Sequence, residues 1–211
     1  MRYIINSDPR LGIEEPWNLT CTPEIIYFRG EINEETASNF RRDLEVAEGN
    51  ALNAGQKILP ICIDSFGGDI YSLLSMIDAV DAIDPNITIA TVIEGKAMSA
   101  AAAFATCGHA GHRYMGPLAT MMIHSASGGS EGTVEAVVND TRELKRLYDM
   151  ALDRMARNCN LKKDFFLKKI KENGPEWYIK AKEAKKVGLI SHIGIPVMRV
   201  KITATHEFGL R

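Results

Sequence analysis

The chain has 211 residues, 45% of them hydrophobic and 25% charged, and its 25 Lys and Arg nearly balance 27 Asp and Glu for a formal net charge of −2. That composition supports one large domain with a core of its own and excludes an intrinsically disordered chain. Near-neutral charge gives no bulk attraction to nucleic acid or anionic membrane, the opening MRYIINSDPR has no secretory apolar region, and no later run approaches the roughly 18 apolar residues of a membrane span.

Short β-branched runs alternate with helical patterns along the chain. Glu24 to Phe28 reads as a strand ending at Gly30, and Glu34 to Glu48 as a helix with a polar face. Lys57 to Asp64 is an almost wholly apolar run, as expected of a strand covered on both faces, with Pro60 confined to its start or to an edge. Residues 69–83 carry Ile70, Leu73, Leu74, Ile77 and Val80 on one helical stripe, which Asp84-Pro85-Asn86 ends. Ile87 to Ile93 is the next strand, followed by Gly95, a small-residue helix over 97–107, and short strands at His112–Met115 and Ala119–Ile123. The alternation predicts an α/β fold with a mainly parallel sheet, whose functional residues gather where strands hand over to helices.

Past the glycine-rich segment Gly128–Gly132, a long helix is expected from Val134 to about Arg157. Val134, Val137, Thr141, Leu144, Tyr148, Ala151 and Met155 recur at steps of three and four, with Leu147 and Leu152 widening the stripe. Such a helix either lies flat on the sheet or projects to meet a partner subunit. A basic helix over Leu161–Glu172, a break at Asn173-Gly174-Pro175, a helix over Ala181–Val187 and an apolar stretch through Ile195 complete the pattern. Cys21, Cys62, Cys107 and Cys159 form no CxxC pair, which points to reduced thiols in a cytosol-like compartment.

Three segments can carry chemistry. In Asp64-Ser65-Phe66-Gly67-Gly68-Asp69 the paired glycines permit backbone angles closed to other residues and leave N–H groups free for an oxyanion; they also suit a plain tight turn. Ser99 opens the Ala-rich helix, either as a nucleophile or as an ordinary N-cap. His124 ends the strand Thr120–Ile123, as a general base if it reaches a hydroxyl or as a structural side chain if it does not. Cys107, His109 and His112 lack a fourth ligand pattern, so no metal site is expected.

In this order, a strand–SFGGD–helix turn, GKAMS at the start of an Ala-rich helix, and MIH followed by GGSEG and a long helix resemble the proteolytic subunit of the Clp protease (ClpP), serine peptidases of the ClpP/crotonase fold. The resemblance runs from about Ile25 to Ile193. It implies repeated β-β-α units with a projecting handle helix: residues 1–24 an N-terminal segment bearing any axial loop, 25–195 the peptidase domain with its handle at 125–157, and 196–211 a C-terminal tail. The implied activity is endopeptidase cleavage of unfolded polypeptides through an acyl-enzyme inside an oligomeric chamber, in the cytoplasm, without metal or organic cofactor. The implied partners are further copies of the chain in stacked seven-membered rings and a hexameric Clp-type ATPase unfoldase.

Residue by residue, Ser99 matches the nucleophile, His124 the base, and Gly68 and Ala100 the oxyanion-hole donors. The segment Gly128–Gly132 matches the handle strand that pairs with substrate. Gly67, Asp69, Ile70, Ser125, Ala126 and Ser127 fall on the substrate groove. Three positions depart from the pattern. Glu176 stands where the triad aspartate is usual, with Glu172 and Asn173 as nearby substitutes. Ser125-Ala126-Ser127 replaces a common Gln-Pro, and Asp69 replaces a smaller residue. A catalytically inert ring subunit, a capsid-maturation peptidase and a crotonase-type acyl-CoA enzyme are the other classes these residues allow.

Overall fold

The computed structural model describes residues 1–7 and 22–202, so Cys21 lies outside it. Its elements are β1 (Arg2–Ser7), β2 (Ile26–Ile32), α1 (Glu34–Asn53), β3 (Ile58–Gly68), α2 (Ile70–Asp81), β4 (Thr88–Met98), α3 (Ala100–Ala105), β5 (Arg113–Met115), β6 (Thr120–His124), α4 (Val134–Cys159), α5 (Lys163–Asn173), β7 (Glu176–Lys180), α6 (Ala181–Lys186), β8 (His192–Ile193) and β9 (Val197–Ile202). No helix among the described residues is long and apolar enough to cross a membrane.

The main sheet runs β2-β3-β4-β5-β8, parallel throughout, and β4 is where it divides. Thr91–Ile93 pair with β5, whereas Lys96–Met98 pair with β6, which in turn pairs antiparallel with β7. The division keeps β4 in strand form beyond its expected end at Ile93 and shortens the Ala-rich helix to six residues. Gly95 does not break the strand; a Cβ there would lie 2.8 Å from the Asp64 carboxylate, so the glycine marks close approach between β3 and β4. Pro60 is tolerated inside β3 because β2 begins opposite Ile61, leaving no ladder on that flank to interrupt.

Local chemistry explains the helix starts. Asn33 and Thr36 form a reciprocal capping box at 2.9 and 3.0 Å, and Glu34 and Glu35 complement the helix dipole. The helix then runs past Gly49 to Asn53, because Ala47 and Ala51 continue its buried face. The core is aromatic and aliphatic. Phe28, Phe40 and Phe104 meet edge to face at 5.2–6.1 Å, and every residue of α3 is buried.

Several expectations need correction. The stretch before Ala181, for which the sequence predicts no element, forms β7, with Trp177 and Ile179 inward and Glu176, Tyr178 and Lys180 outward. Residues 2–7 and 197–202, read as parts of a terminal segment and a tail, pair as parallel strands in a separate two-stranded sheet. Residues 125–133, expected to hold the handle strand, form no strand, since no described residue offers them a ladder partner. The long helix divides into two halves and packs on α2, α3 and α5 instead of lying flat on the sheet. Up to Arg146 none of its residues is buried, with Val134 75% and Val138 48% exposed, while Leu147, Ala151, Leu152, Met155 and Cys159 pack into the core.

Candidate active site

Ser99 and His124 meet through the β4–β6 pairing. Met98 pairs with Met122, and the Ser99 N–H donates to the Met122 carbonyl at 2.8 Å, which fixes Ser99 one register step short of His124 at the end of β6. Ser99 holds φ 54° and ψ −123°, a conformation costing an L-residue about 1–3 kcal/mol, which the buried α3 behind it sustains. It occupies the N-cap position of α3 and makes no side-chain cap; its Oγ lies 2.7 Å from His124 Nε2 instead. The hydroxyl is thus withheld from the backbone donors an N-cap serine would satisfy and given to an imidazole.

The turn from β3 to α2 closes over this pair. Gly67 and Gly68 have φ of +94° and +145°, and the buried Ser65 hydroxyl accepts the Gly67 N–H at 3.0 Å. A Cβ on Gly67 would lie 2.5 Å from the Met98 carbonyl and 2.9 Å from both Ser99 Cβ and the Ala100 nitrogen. Only glycine permits the turn to press this closely on the Ser99 backbone. Asp69 caps α2, accepting the Ser72 N–H at 2.6 Å. Burial pushes its carboxyl up, but hydrogen bonds from Ser72 and from the Tyr71 and Ile70 N–H groups outweigh that and hold it below the ordinary carboxylate value.

Ser99 and His124 open into a cleft of about 350 Å³. Gly68, Ala100, Asp69, Ile70, Ala126 and Ser127 all line it. Gly67 stands behind Ser99, and Ser125 sits beside the buried Tyr148 hydroxyl without a hydrogen bond of normal geometry. Burial raises the Tyr148 phenol above its usual value, and the nearby Ser125 hydroxyl offsets part of that. The far wall was not foreseen as part of the site. Leu144, Tyr148, Ala151 and Met155, read as an interface seam, face the cleft. The cue in sequence was the polar tip of Tyr148 among the apolar Leu144, Ala151 and Met155 of the same stripe.

Glu176 comes close without completing the set. It is the register partner of His124 across β6 and β7, yet its carboxylate accepts the Tyr178 hydroxyl at 2.8 Å and makes no hydrogen bond or ion pair with His124. The substitutes are engaged elsewhere: Glu172 pairs with Lys168 and Lys169, and the Asn173 amide donates to the Lys169 carbonyl. His109 Nδ1 accepts the Ile89 N–H at 2.8 Å, His112 lies 3.2 Å from the Ala110 carbonyl, and among the described residues no three His, Cys, Asp or Glu side chains are grouped to hold a metal.

An imidazole accepting from a serine hydroxyl, beside backbone N–H groups at a glycine turn and a helix start, can generate an alkoxide and receive an oxyanion. A family model described as Clp protease matches residues 14–196.

Proposed function

The chain belongs to the Clp protease family, and we propose that it is a serine endopeptidase that cleaves unfolded polypeptides through an acyl-enzyme. In this reading His124 Nε2 takes the Ser99 proton as Oγ attacks the carbonyl, and the Gly68 and Ala100 N–H groups receive the oxyanion. His124 then passes the proton to the departing amine, and water reverses the sequence to free the acid. The observation that carries the reading is the Ser99 hydroxyl itself, uncapped, on a strained backbone and 2.7 Å from His124 Nε2. The apolar far wall of the cleft supports binding of a peptide side chain next to the scissile bond.

The rest follows from family membership with physical support from the chain. The exposed apolar residues Val134 and Val138 on the projecting half of α4 fit assembly with further copies, as in stacked seven-membered rings worked by a Clp-type ATPase unfoldase. The free buried thiols Cys62, Cys107 and Cys159 suit a reducing, cytoplasmic setting. A second reading, an inert ring subunit, is favoured by one observation: Glu176 bonds Tyr178 and not His124.

Ser99→Ala separates the two. The peptidase reading expects turnover of a fluorogenic peptide by the assembled chain and its loss in a variant that remains folded and assembled. Equal activity in both proteins overturns it.

A further inference from the structure

β7 runs antiparallel to β6, with Glu176 opposite His124 and Tyr178 opposite Met122. Residues directly opposite on antiparallel strands share a face with Cβ atoms about 5 Å apart, so Glu176 is rooted beside the imidazole. Its neighbour two residues on shares that face, which brings Tyr178 within reach as well. The backbone between them is pinned. Trp177 is 1% exposed and donates its indole N–H to Glu183 at 3.0 Å, and Ile179 is fully buried. What remains free is the Glu176 side chain, whose carboxylate accepts the Tyr178 hydroxyl at 2.8 Å.

His124 uses Nε2 on Ser99, so a neutral ring that accepts there carries its proton on Nδ1, for which the described residues supply no acceptor. One carboxylate therefore stands between two donors: the Tyr178 hydroxyl, which holds it, and Nδ1–H, which lacks a partner. The longer side chain of glutamate is what lets it turn to the tyrosine. Around it, β6 contributes His124; β7 adds Tyr178 and Lys180; α5 keeps Glu172 on Lys168 and Lys169; α6 keeps Glu183 on Trp177. Glu176 makes no ion pair among the described residues, so no cation holds it in place. The bond to Glu176 also pushes the Tyr178 phenol above its ordinary value.

We propose that Tyr178 is a positioning residue that competes with His124 for the Glu176 carboxylate and so sets how often the catalytic triad is complete. The proposal rests on the peptidase reading above. A carboxylate at Nδ1–H stabilises the imidazolium formed as Ser99 attacks, so releasing it from Tyr178 speeds the chemical step and leaves substrate binding unchanged.

Tyr178→Phe tests this, and because Tyr178 is 53% exposed the substitution leaves the core untouched. The expected result is a rise of about fivefold in kcat, the worth of one ordinary hydrogen bond, at constant KM. An NMR titration of the His124 ring without substrate should move to higher pH, and adding Glu176→Gln to Tyr178→Phe should remove both effects. An unmoved titration overturns the proposal, as does a fall in kcat on Tyr178→Phe, and a shift confined to the denaturation midpoint assigns Tyr178 a structural role. The titration needs no turnover. If a fluorophosphonate leaves Ser99 unmodified in every variant, the peptidase reading falls while the ring titration still decides whether Tyr178 controls Glu176.

Discussion

Replacing Gly67 by alanine tests whether the turn, and not only the Ser99–His124 pair, builds the site. The new Cβ would stand 2.5 Å from the Met98 carbonyl and 2.9 Å from Ser99 Cβ and the Ala100 nitrogen, so those backbone atoms must retreat by roughly half an ångström. The φ of +94° adds about 1–2 kcal/mol for a residue with a Cβ, and the overlap about 1–3 kcal/mol, for a stability loss of about 2–5 kcal/mol. The atoms displaced are those that set Ser99 Oγ and the Ala100 N–H, and a misplacement of ~1 Å in such a site costs about 100-fold in rate. On that scale half an ångström costs about 10-fold, so we expect kcat/KM for a fluorogenic peptide to fall about 10-fold, under conditions where urea titration shows the variant folded. Gly49→Ala on α1 is the control: nothing lies within 4 Å of its Cβ, it is outside the cleft, and the rate should stay put. Activity within twofold of the unmodified chain, with an unchanged urea midpoint, would refute the argument that this turn shapes the site.

Burial pushes the Cys62 thiol up to about 11 and the Cys107 thiol up to about 12, so both should resist iodoacetamide in the native protein at neutral pH and react on unfolding. Because the folded values lie above the unfolded value of 9.0, their stabilising contribution is complete below pH 9 and lost as pH rises toward 11–12, which alkaline denaturation followed by circular dichroism can check. Glu143 accepts the Tyr71 hydroxyl at 2.9 Å and pairs with Arg146, which holds its carboxyl down at about 2. Its link between α2 and α4 should persist as pH falls past the usual 4.5 and release only as pH approaches 2, as a carboxylate NMR titration would show. Gly49 is an exposed mid-helix glycine with open space around its Cβ position, so Gly49→Ala should raise stability by about 0.5–1 kcal/mol in urea denaturation; a loss would mean that α1 is not helical there.

Periodicity located the elements that bury one face or both, such as β3 and α2, and it placed their ends where turn chemistry is local, as at Asn33 and Asp69. It missed what depends on long-range pairing. β7 is five residues whose alternation becomes meaningful only against β6, and β1 and β9 exist only because residues far apart in sequence lie side by side. The extension of β4 through Gly95 likewise comes from β6 arriving on its flank. At the candidate site, residue types and their order singled out Ser99, His124 and the glycine turn, but spacing could not separate an N-cap serine from one aimed at an imidazole. Nor could it separate a glutamate opposite His124 from one bonded to it, since that choice lies in side-chain torsions and a tyrosine two residues away. The face of α4 was recognised as apolar, and its use was not, because one stripe serves a projecting half and a half that walls the cleft.

An activated serine at position 99 would show itself in the mass of the assembled chain after incubation with a fluorophosphonate at neutral pH, with peptide mapping. One adduct is expected, on Ser99, absent from Ser99→Ala and formed far more slowly in His124→Ala. No adduct in assembled material, or an adduct on another serine that survives Ser99→Ala, would contradict it.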